Sequence, residues 1–409
     1  MQKHYNIILA NAPMNNGNRG CVALSISAIA IIDKIFSEAN VEYDIFMPDS
    51  YWQDCATRQY VVGNFSIQYT PCRYYKALNR NDSIKLEINR YLGRNNYKKA
   101  FEAADFVLDI GQGDSFADIY GELRFRQIDR IHKIARELNK PYCLLPQTIG
   151  PFANSSMKAK ANVSIEKASL CMARDKQSFE YVLSNVPSQK NIKEYIDVAF
   201  FMPYQKIDQD NHFIHVGLNV SALMWNGGYT RNNQFGLIDD YKLVVHTIID
   251  YFLSLSNVKV HLVPHVVLQE RGIENDYEVS YELWREYNNP DLLLAPFALG
   301  PIEIKSYIAG LDFFMGARMH STIGAFSSGV PVVPMAYSRK FNGLFEDTLD
   351  YHYMTDLKTQ TKEEVLSIIK DAFEKRSELK EIIQNRMNTI VKEREQLLYD
   401  ELQKFFKLV

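Results

Sequence analysis

Arg318, His320 and Lys340 are the residues of this 409-residue chain whose types and spacing most directly suit chemistry. A guanidinium grips phosphate or carboxylate oxygens in bidentate fashion, and an ammonium adds a point charge. An imidazole gives or takes a proton near neutral pH. Two fixed cations and one titratable ring on one wall suit a small polyanion and a proton transfer. His265, just past an apolar run, is a second imidazole held in reserve, although a lone loop histidine more often caps or sits at the surface.

The elements around the trio must bring it together. Leu311 to Met315 reads as a buried strand that Gly316 breaks, with Arg318 and His320 in the turn that follows. Ser321 to Ser328 reads as a helix of small and apolar residues, stopped by Gly329. Val330 to Met335 reads as a second strand and runs into Tyr337, Ser338, Arg339 and Lys340. Strand, helix and strand in so few residues demand a parallel crossover. The two loops then follow the carboxyl ends of adjacent strands, where open α/β sheets bind ligands.

The rest of the chain repeats this pattern. Strands are expected at Tyr5 to Ala10, Val41 to Met47, Phe106 to Ile110, Pro141 to Leu145, Leu170 to Met172 and Asp197 to Phe200. A second set follows at His215 to Val220, Val258 to Val263 and Asp291 to Ala295. Unusual polar residues fall just after strands. They include Asn18 in an Asn/Gly loop, Asp114 and Asp118 in the run GQGDSFAD, Gln147 in PQTIGPF, and Arg174. Each has a structural alternative: a tight turn at Asn18, helix capping by Asp114 or Ser115, and an edge salt bridge for Arg174. The expected fold is α/β, with two Rossmann-like domains facing a cleft. Residues 1–204 and 205–375 form the domains, and 376–409 are helical and charged.

Composition narrows the function. A net charge of −3 excludes a general nucleic-acid binder. Five scattered cysteines with no C-x-x-C pair predict a reducing compartment and no zinc site. No apolar run reaches the ~18 residues of a membrane span. The first residues read as a strand, not a signal peptide. The expected location is the cytoplasm, with peripheral contact at the inner face of the membrane. That contact rests on 71–100, where eight Lys or Arg stand among tyrosines against Asp82 and Glu87. The alternative there is a solvated helical face.

Arg318-Met319-His320, the helix of small residues, Gly329-Val330-Pro331-Val332, and Tyr337 with Lys340 together resemble the signature of the polysaccharide pyruvyl transferase family. The Asn/Gly loop at 11–20, the glycine turn at 111–118, the turn at 146–151 and Ala173-Arg174-Asp175 with Ser178 support the resemblance. Cys21 stands where the family usually has an acidic residue. The resemblance implies a fold of the glycosyltransferase-B type, in which the last helix, here 376–409, crosses back to the first domain, and transfer of a pyruvyl group from phosphoenolpyruvate to a sugar, as a ketal. Phosphoenolpyruvate would be a co-substrate, with no cofactor and no metal. Arg318, Lys340, Arg174 and Tyr337 are then expected to bind it, and His320 to act as general acid. Asp114 or Asp118 would hold or deprotonate the sugar, which in this reading is a surface polysaccharide or its polyprenyl-pyrophosphate-linked precursor. The rival readings are a glycosyltransferase using a nucleotide sugar and a non-catalytic subunit of a glycan assembly complex.

Overall fold

The structure is a computed structural model and describes residues 3–49, 56–73, 88, 96–297 and 299–408. The chain divides into two units. The first comprises Met1–Asn15, Leu24–Val198 and Glu393–Val409; the second comprises Asn16–Ala23 and Ala199–Lys392. The boundaries expected at 204/205 and 375/376 fall by contacts at 198/199 and 392/393. Residues 200–207 are stitched to the second unit, which accounts for the earlier start. Lys305 Nζ donates to the carbonyls of Phe200 (3.2 Å) and Met202 (2.8 Å), and Ile207 N donates to Ser306 O.

The first unit runs β1 (His4–Ala10), α1 (Arg19–Glu38, whose first turn belongs to the second unit), β2 (Glu42–Asp49), β3 (Arg58–Val62), β4 (Phe65–Arg73), α2 (Asn96–Ala103), β5 (Phe106–Asp109), α3 (Gly121–Glu137), β6 (Tyr142–Gln147), α4 (Ser155–Lys167), β7 (Leu170–Ala173), α5 (Lys176–Asn185) and β8 (Ile192–Glu194). Its sheet has the order β3-β4-β2-β1-β5-β6-β7-β8. Every pair is parallel except β3 with β4. The central strands are buried on both faces, so β5, β6 and β7 read as near-continuous apolar runs. The β3–β4 hairpin is an addition that the sequence pattern did not reveal. Asp197 to Phe200, expected as a strand, is instead a 3-10 turn over Val198–Phe201. Asp197 faces inward to meet Arg174, and this interrupts the apolar run.

The second unit runs β9 (Ile214–Asn219), α6 (Ala222–Trp225), α7 (Tyr241–Leu253), β10 (Val258–Leu262), α8 (Asp276–Tyr287), β11 (Leu292–Leu294), α9 (Pro301–Ile308), β12 (Phe313–Gly316), α10 (Met319–Ser327), β13 (Val332–Ala336), α11 (Arg339–Asn342), β14 (Thr355–Asp356), α12 (Lys362–Glu374) and α13 (Arg376–Arg386). Its sheet is wholly parallel, in the order β11-β10-β9-β12-β13-β14. That is the doubly wound order in which the winding reverses between the first and fourth strands, here β9 and β12. The terminal helix α14 (Lys392–Phe405) belongs to the first unit from Glu393 onward, where Phe406 packs on Phe36 and Phe106 with ring centroids 4.9 and 5.2 Å apart.

α1 is long and apolar enough to cross a membrane, but 72% of its most apolar window is buried, as in a core helix. Cys143 and Cys171 are free thiols, and Cys55 lies outside the described residues. Most of the basic 71–100 stretch also lies outside them.

Candidate active site

In the second unit the candidate residues gather where the winding reverses. β12 ends at Gly316 beside β9, which ends at Asn219. A Cβ at Gly316 would lie 2.9 Å from Ser321 Oγ and 3.0 Å from Asn219 Cβ, so strand, neighbour and helix meet closely here. Asn219 is fully buried. It accepts from Arg318 N at 2.9 Å through Oδ1 and donates to Val263 O at 2.9 Å. One side chain thereby ties the exits of β9, β10 and β12. Arg318 is the N-cap of α10, and Ser321 Oγ donates back to its carbonyl at 2.6 Å. His320 therefore lies in the first turn of that helix, not in the preceding loop as expected.

The Arg318 guanidinium is held by Asp276, the first residue of α8. Nη2 donates to Oδ1 at 2.8 Å, and Nε donates to Oδ2 at 3.1 Å. Nη2 also donates to Glu274 O at 3.1 Å. Burial works against the charged guanidinium, but Asp276 outweighs it and holds the pKa above the usual arginine value. Among the described residues no hydrogen bond involves Nη1. Asp276 is itself fully buried and accepts from three backbone amides: Ala222 (2.8 Å), Val266 (3.0 Å) and His265 (3.3 Å). Its carboxylate thus joins the loops after β9, β10 and β12 to the start of α8.

His265 lies against this cluster. It is 4% exposed, and among the described residues neither ring nitrogen has a hydrogen-bond partner. Burial, then the nearby charges of His320, Arg318 and Arg19, push its pKa well below the ordinary histidine value. The ring is therefore neutral at physiological pH. The Asn/Gly loop forms the adjoining wall of this unit. Asn18 bridges to Val266 as an isolated antiparallel pair, and Arg19 N donates to His265 O at 3.0 Å. Asn18 Oδ1 accepts from Gly20 N at 3.0 Å, which turns the chain into α1. A Cβ at Gly20 would stand 2.5 Å from His320 Nδ1, so only glycine lets this backbone lie against the imidazole.

Tyr337 and Lys340 follow β13, the neighbour of β12. Tyr337 packs edge-on against Phe235 at 4.9 Å and is near enough to Arg318 to be coupled to it electrostatically. Lys340 Nζ lies 5.9 Å from the Tyr337 ring centre. The structure thus brings together Arg318, His320, His265, Asn18 and Tyr337, with Lys340 beside Tyr337.

The remaining candidates belong to the first unit, around its own reversal point between β1 and β5. Asp109 ends β5 and is buried. It accepts from Asn11 Nδ2 (2.7 Å) and Gly111 N (3.0 Å), and pairs with fully buried His132 at 2.6 Å. Burial alone would lower the His132 pKa, but Asp109 and then Asp129 raise it to about 9. Gly111, Gln112 and Gly113 all have positive φ, a run that two glycines make affordable. Gln147 is buried and donates to Asp109 O at 2.8 Å. Arg174, 1% exposed, donates from Nη1 to Asp197 at 2.8 Å and from Nε to Thr148 Oγ1 at 2.9 Å. The salt bridge that was the structural alternative for Arg174 is therefore present, with Asp197 as the carboxylate, while Asp175 caps α5 through Ser178 N. Asp118 accepts from the amides of Ala153 (2.6 Å) and Asn154 (2.8 Å), while Asp114 accepts from Tyr120 OH at 3.0 Å. Neither Asp114 nor Ser115 caps α3, whose N-cap is Tyr120.

Sequence reasoning missed Asp276, Asn219, Asp109 and His132. Asp109 was marked by a carboxylate inside an apolar strand, and His132 by its place on the apolar stripe of α3. Asn219 had the same kind of signal at the end of β9. Asp276 lies in a polar stretch and carried none.

The match to a family model decides the assignment: the polysaccharide pyruvyl transferase model aligns with residues 18–339, well over half the chain. The chain belongs to the polysaccharide pyruvyl transferase family. A sequence relative is the amylovoran biosynthesis protein AmsJ of Erwinia amylovora, 23% identical over 254 residues. The chain spans 59% of the length of that relative, and the match covers 59% of this chain. Among solved structures, a UDP-N-acetylglucosamine 2-epimerase is similar with a TM-score of 0.60 at 12% identity, covering 100% of this chain and 98% of the other. Sucrose-phosphate synthase of Thermosynechococcus elongatus gives 0.59 at 10% identity, covering 98% and 99%. At these identities the likeness concerns the fold, which is of the glycosyltransferase-B type with two Rossmann-like units.

Proposed function

We propose that this polysaccharide pyruvyl transferase uses phosphoenolpyruvate as donor and forms a pyruvate ketal on a sugar of a surface polysaccharide or its lipid-linked precursor. The observation that carries the reading is Arg318, fixed by buried Asp276 at the reversal point, two residues before His320. A guanidinium held by a carboxylate is pre-oriented and needs no ordering when an oxyanion arrives. Arg318 Nη1, Tyr337 and Lys340 would take the phosphate and carboxylate of phosphoenolpyruvate. In the first unit, Nη2 is the Arg174 nitrogen that would meet an oxyanion, since Asp197 and Thr148 hold its other nitrogens. Asp118 anchors a loop, so Asp114 is the better choice for positioning the sugar.

His320 is the proton donor in this reading. His265 is buried and neutral, so it has no proton to release as a general acid at neutral pH. The methylene carbon of phosphoenolpyruvate takes a proton and becomes the methyl group. A sugar hydroxyl adds to the adjacent cationic carbon, the C–O bond to phosphate breaks, and a second hydroxyl closes the ketal. The two hydroxyl protons balance the new C–H bond and the released hydrogen phosphate. The enzyme would work in the cytoplasm, at the inner face of the membrane if its acceptor is lipid-linked.

Thermal-shift titration tests the donor. Phosphoenolpyruvate should raise the melting temperature and UDP-sugars should not. Stabilisation by a UDP-sugar alone would favour the nucleotide-sugar reading, whose support is the fold likeness.

A further inference from the structure

An aromatic row runs along α8 away from the candidate site. Tyr277 immediately follows Asp276, the residue that holds Arg318, and Tyr281 and Trp284 follow it at helical spacing. Tyr281 is 41% and Trp284 40% exposed, and neighbouring Phe297 is 43% exposed. The rings of Tyr277 and Tyr281 are nearly parallel, 11° apart with centroids separated by 6.4 Å, and Trp284 continues the row 5.9 Å from Tyr281 at 33°. Phe297 braces Tyr277 edge-on at 4.8 Å. Arg285 lies 6.0 Å from the Tyr281 ring centre at the rim. From Tyr277 to Trp284 the helix rises about 10 Å.

We propose that this row is a track for the acceptor glycan, on which successive sugar rings stack their C–H faces while a terminal sugar lies in the site. The inference rests on the polysaccharide-modifying reading above. Three features favour a glycan. The row starts at the residue adjoining Asp276, so a chain leaving the site meets it first. Two of its rings lie nearly parallel, as a stack of flat sugar faces requires. Its members are tyrosines and a tryptophan, which present an apolar face and a polar edge together, and exposed aliphatic residues are absent from the row.

The test is the variant Tyr281→Ala/Trp284→Ala, at positions exposed enough to leave the fold intact. Affinity electrophoresis through gels containing galactan or dextran reads glycan binding without any turnover. The wild type should be retarded by at least one of the two polymers, and the variant should migrate as in a polymer-free gel. In turnover assays the KM for an oligosaccharide acceptor should rise roughly 10-fold or more, the size expected when anchoring aromatic rings are truncated. The KM values for phosphoenolpyruvate and for a monosaccharide acceptor should stay unchanged. Equal retardation of wild type and variant, or no retardation of the wild type by either polymer, would overturn the track. So would a wild-type dimer that the variant converts to monomer in light scattering, because the row would then be a protein interface. If the polymer retards the wild type but no pyruvyl transfer occurs, the track stands and the pyruvyl reading fails.

Discussion

Replacing Asp276 by asparagine should damage both the second unit and its affinity for phosphoenolpyruvate. The substitution keeps the size of the side chain and removes its charge, so Arg318 becomes a buried cation facing a neutral amide. The pair is well shielded, with Arg318 11% and Asp276 0% exposed as side chains. Removing one partner of a buried pair costs about 3–5 kcal/mol. An amide in place of the carboxylate also leaves one oxygen to serve the backbone donors of Ala222, Val266 and His265. Asparagine still accepts some of these bonds, so the lower end, about 3 kcal/mol, is the fair expectation. For a unit of this size 1 kcal/mol shifts the melting temperature by about 2–4 °C, giving a fall of roughly 6–12 °C. Differential scanning calorimetry measures this, and titration with phosphoenolpyruvate should show affinity at least ~10-fold weaker as Arg318 loses its fixed orientation. A variant melting within about 2 °C of wild type and binding phosphoenolpyruvate normally would refute the hub role of Asp276.

His320→Ala should keep its circular dichroism and its phosphoenolpyruvate affinity while turnover falls ~100- to 10,000-fold, the usual loss on removing a general acid; near-normal turnover would remove His320 from the mechanism. Lys340→Ala should chiefly weaken phosphoenolpyruvate binding, and Arg318→Ala should weaken it and also lower the melting temperature because buried Asp276 loses its partner; variants that bind it as tightly as wild type would overturn that assignment. The two units should respond to pH in opposite senses. His132 is raised to about 9, so its contribution is fully present below about pH 6.5 and is lost as pH climbs through 9. His261, lowered to about 3 chiefly by burial, and His265, lowered in the same way, stay neutral in the fold, so acidification below about pH 6.5 favours the unfolded chain. Hydrogen exchange at pH 5, 7 and 9 should show the second unit loosening first in acid and the first unit in base; the reverse order would contradict these assignments. Activity should survive a chelator, because arginine and lysine supply the positive charge; loss restored by one divalent ion would oppose this.

Much of the fold was legible in the sequence because a buried parallel sheet leaves continuous apolar runs, such as Phe313 to Gly316 and Val332 to Ala336. Polar residues after those runs marked Arg318, His320 and Tyr337, since strand ends at a reversal point are where ligands bind. The supports of the site were harder to see. Asp276 is 42 residues from Arg318 in sequence, and its carboxylate sits among other polar residues. Only the three-dimensional meeting of four chain segments gives it a role. Arg174 shows the converse: its position past a strand end was read correctly, but its pairing with Asp197 depends on a 3-10 turn that an apolar run disguises as a strand. The β3–β4 hairpin escaped notice because β3 has only five residues, none of them buried, and β4 alternates exposed and buried residues from Ser66 to Tyr69.

Incubation of the purified protein with phosphoenolpyruvate and a panel of lipid-linked and free glycosides tests the central claim most directly. Mass spectrometry of the products should show a glycan heavier by one pyruvate less one water, with inorganic phosphate released in equal amount. Intact phosphoenolpyruvate throughout the panel, together with transfer of a hexose when a UDP-sugar is supplied, would contradict it.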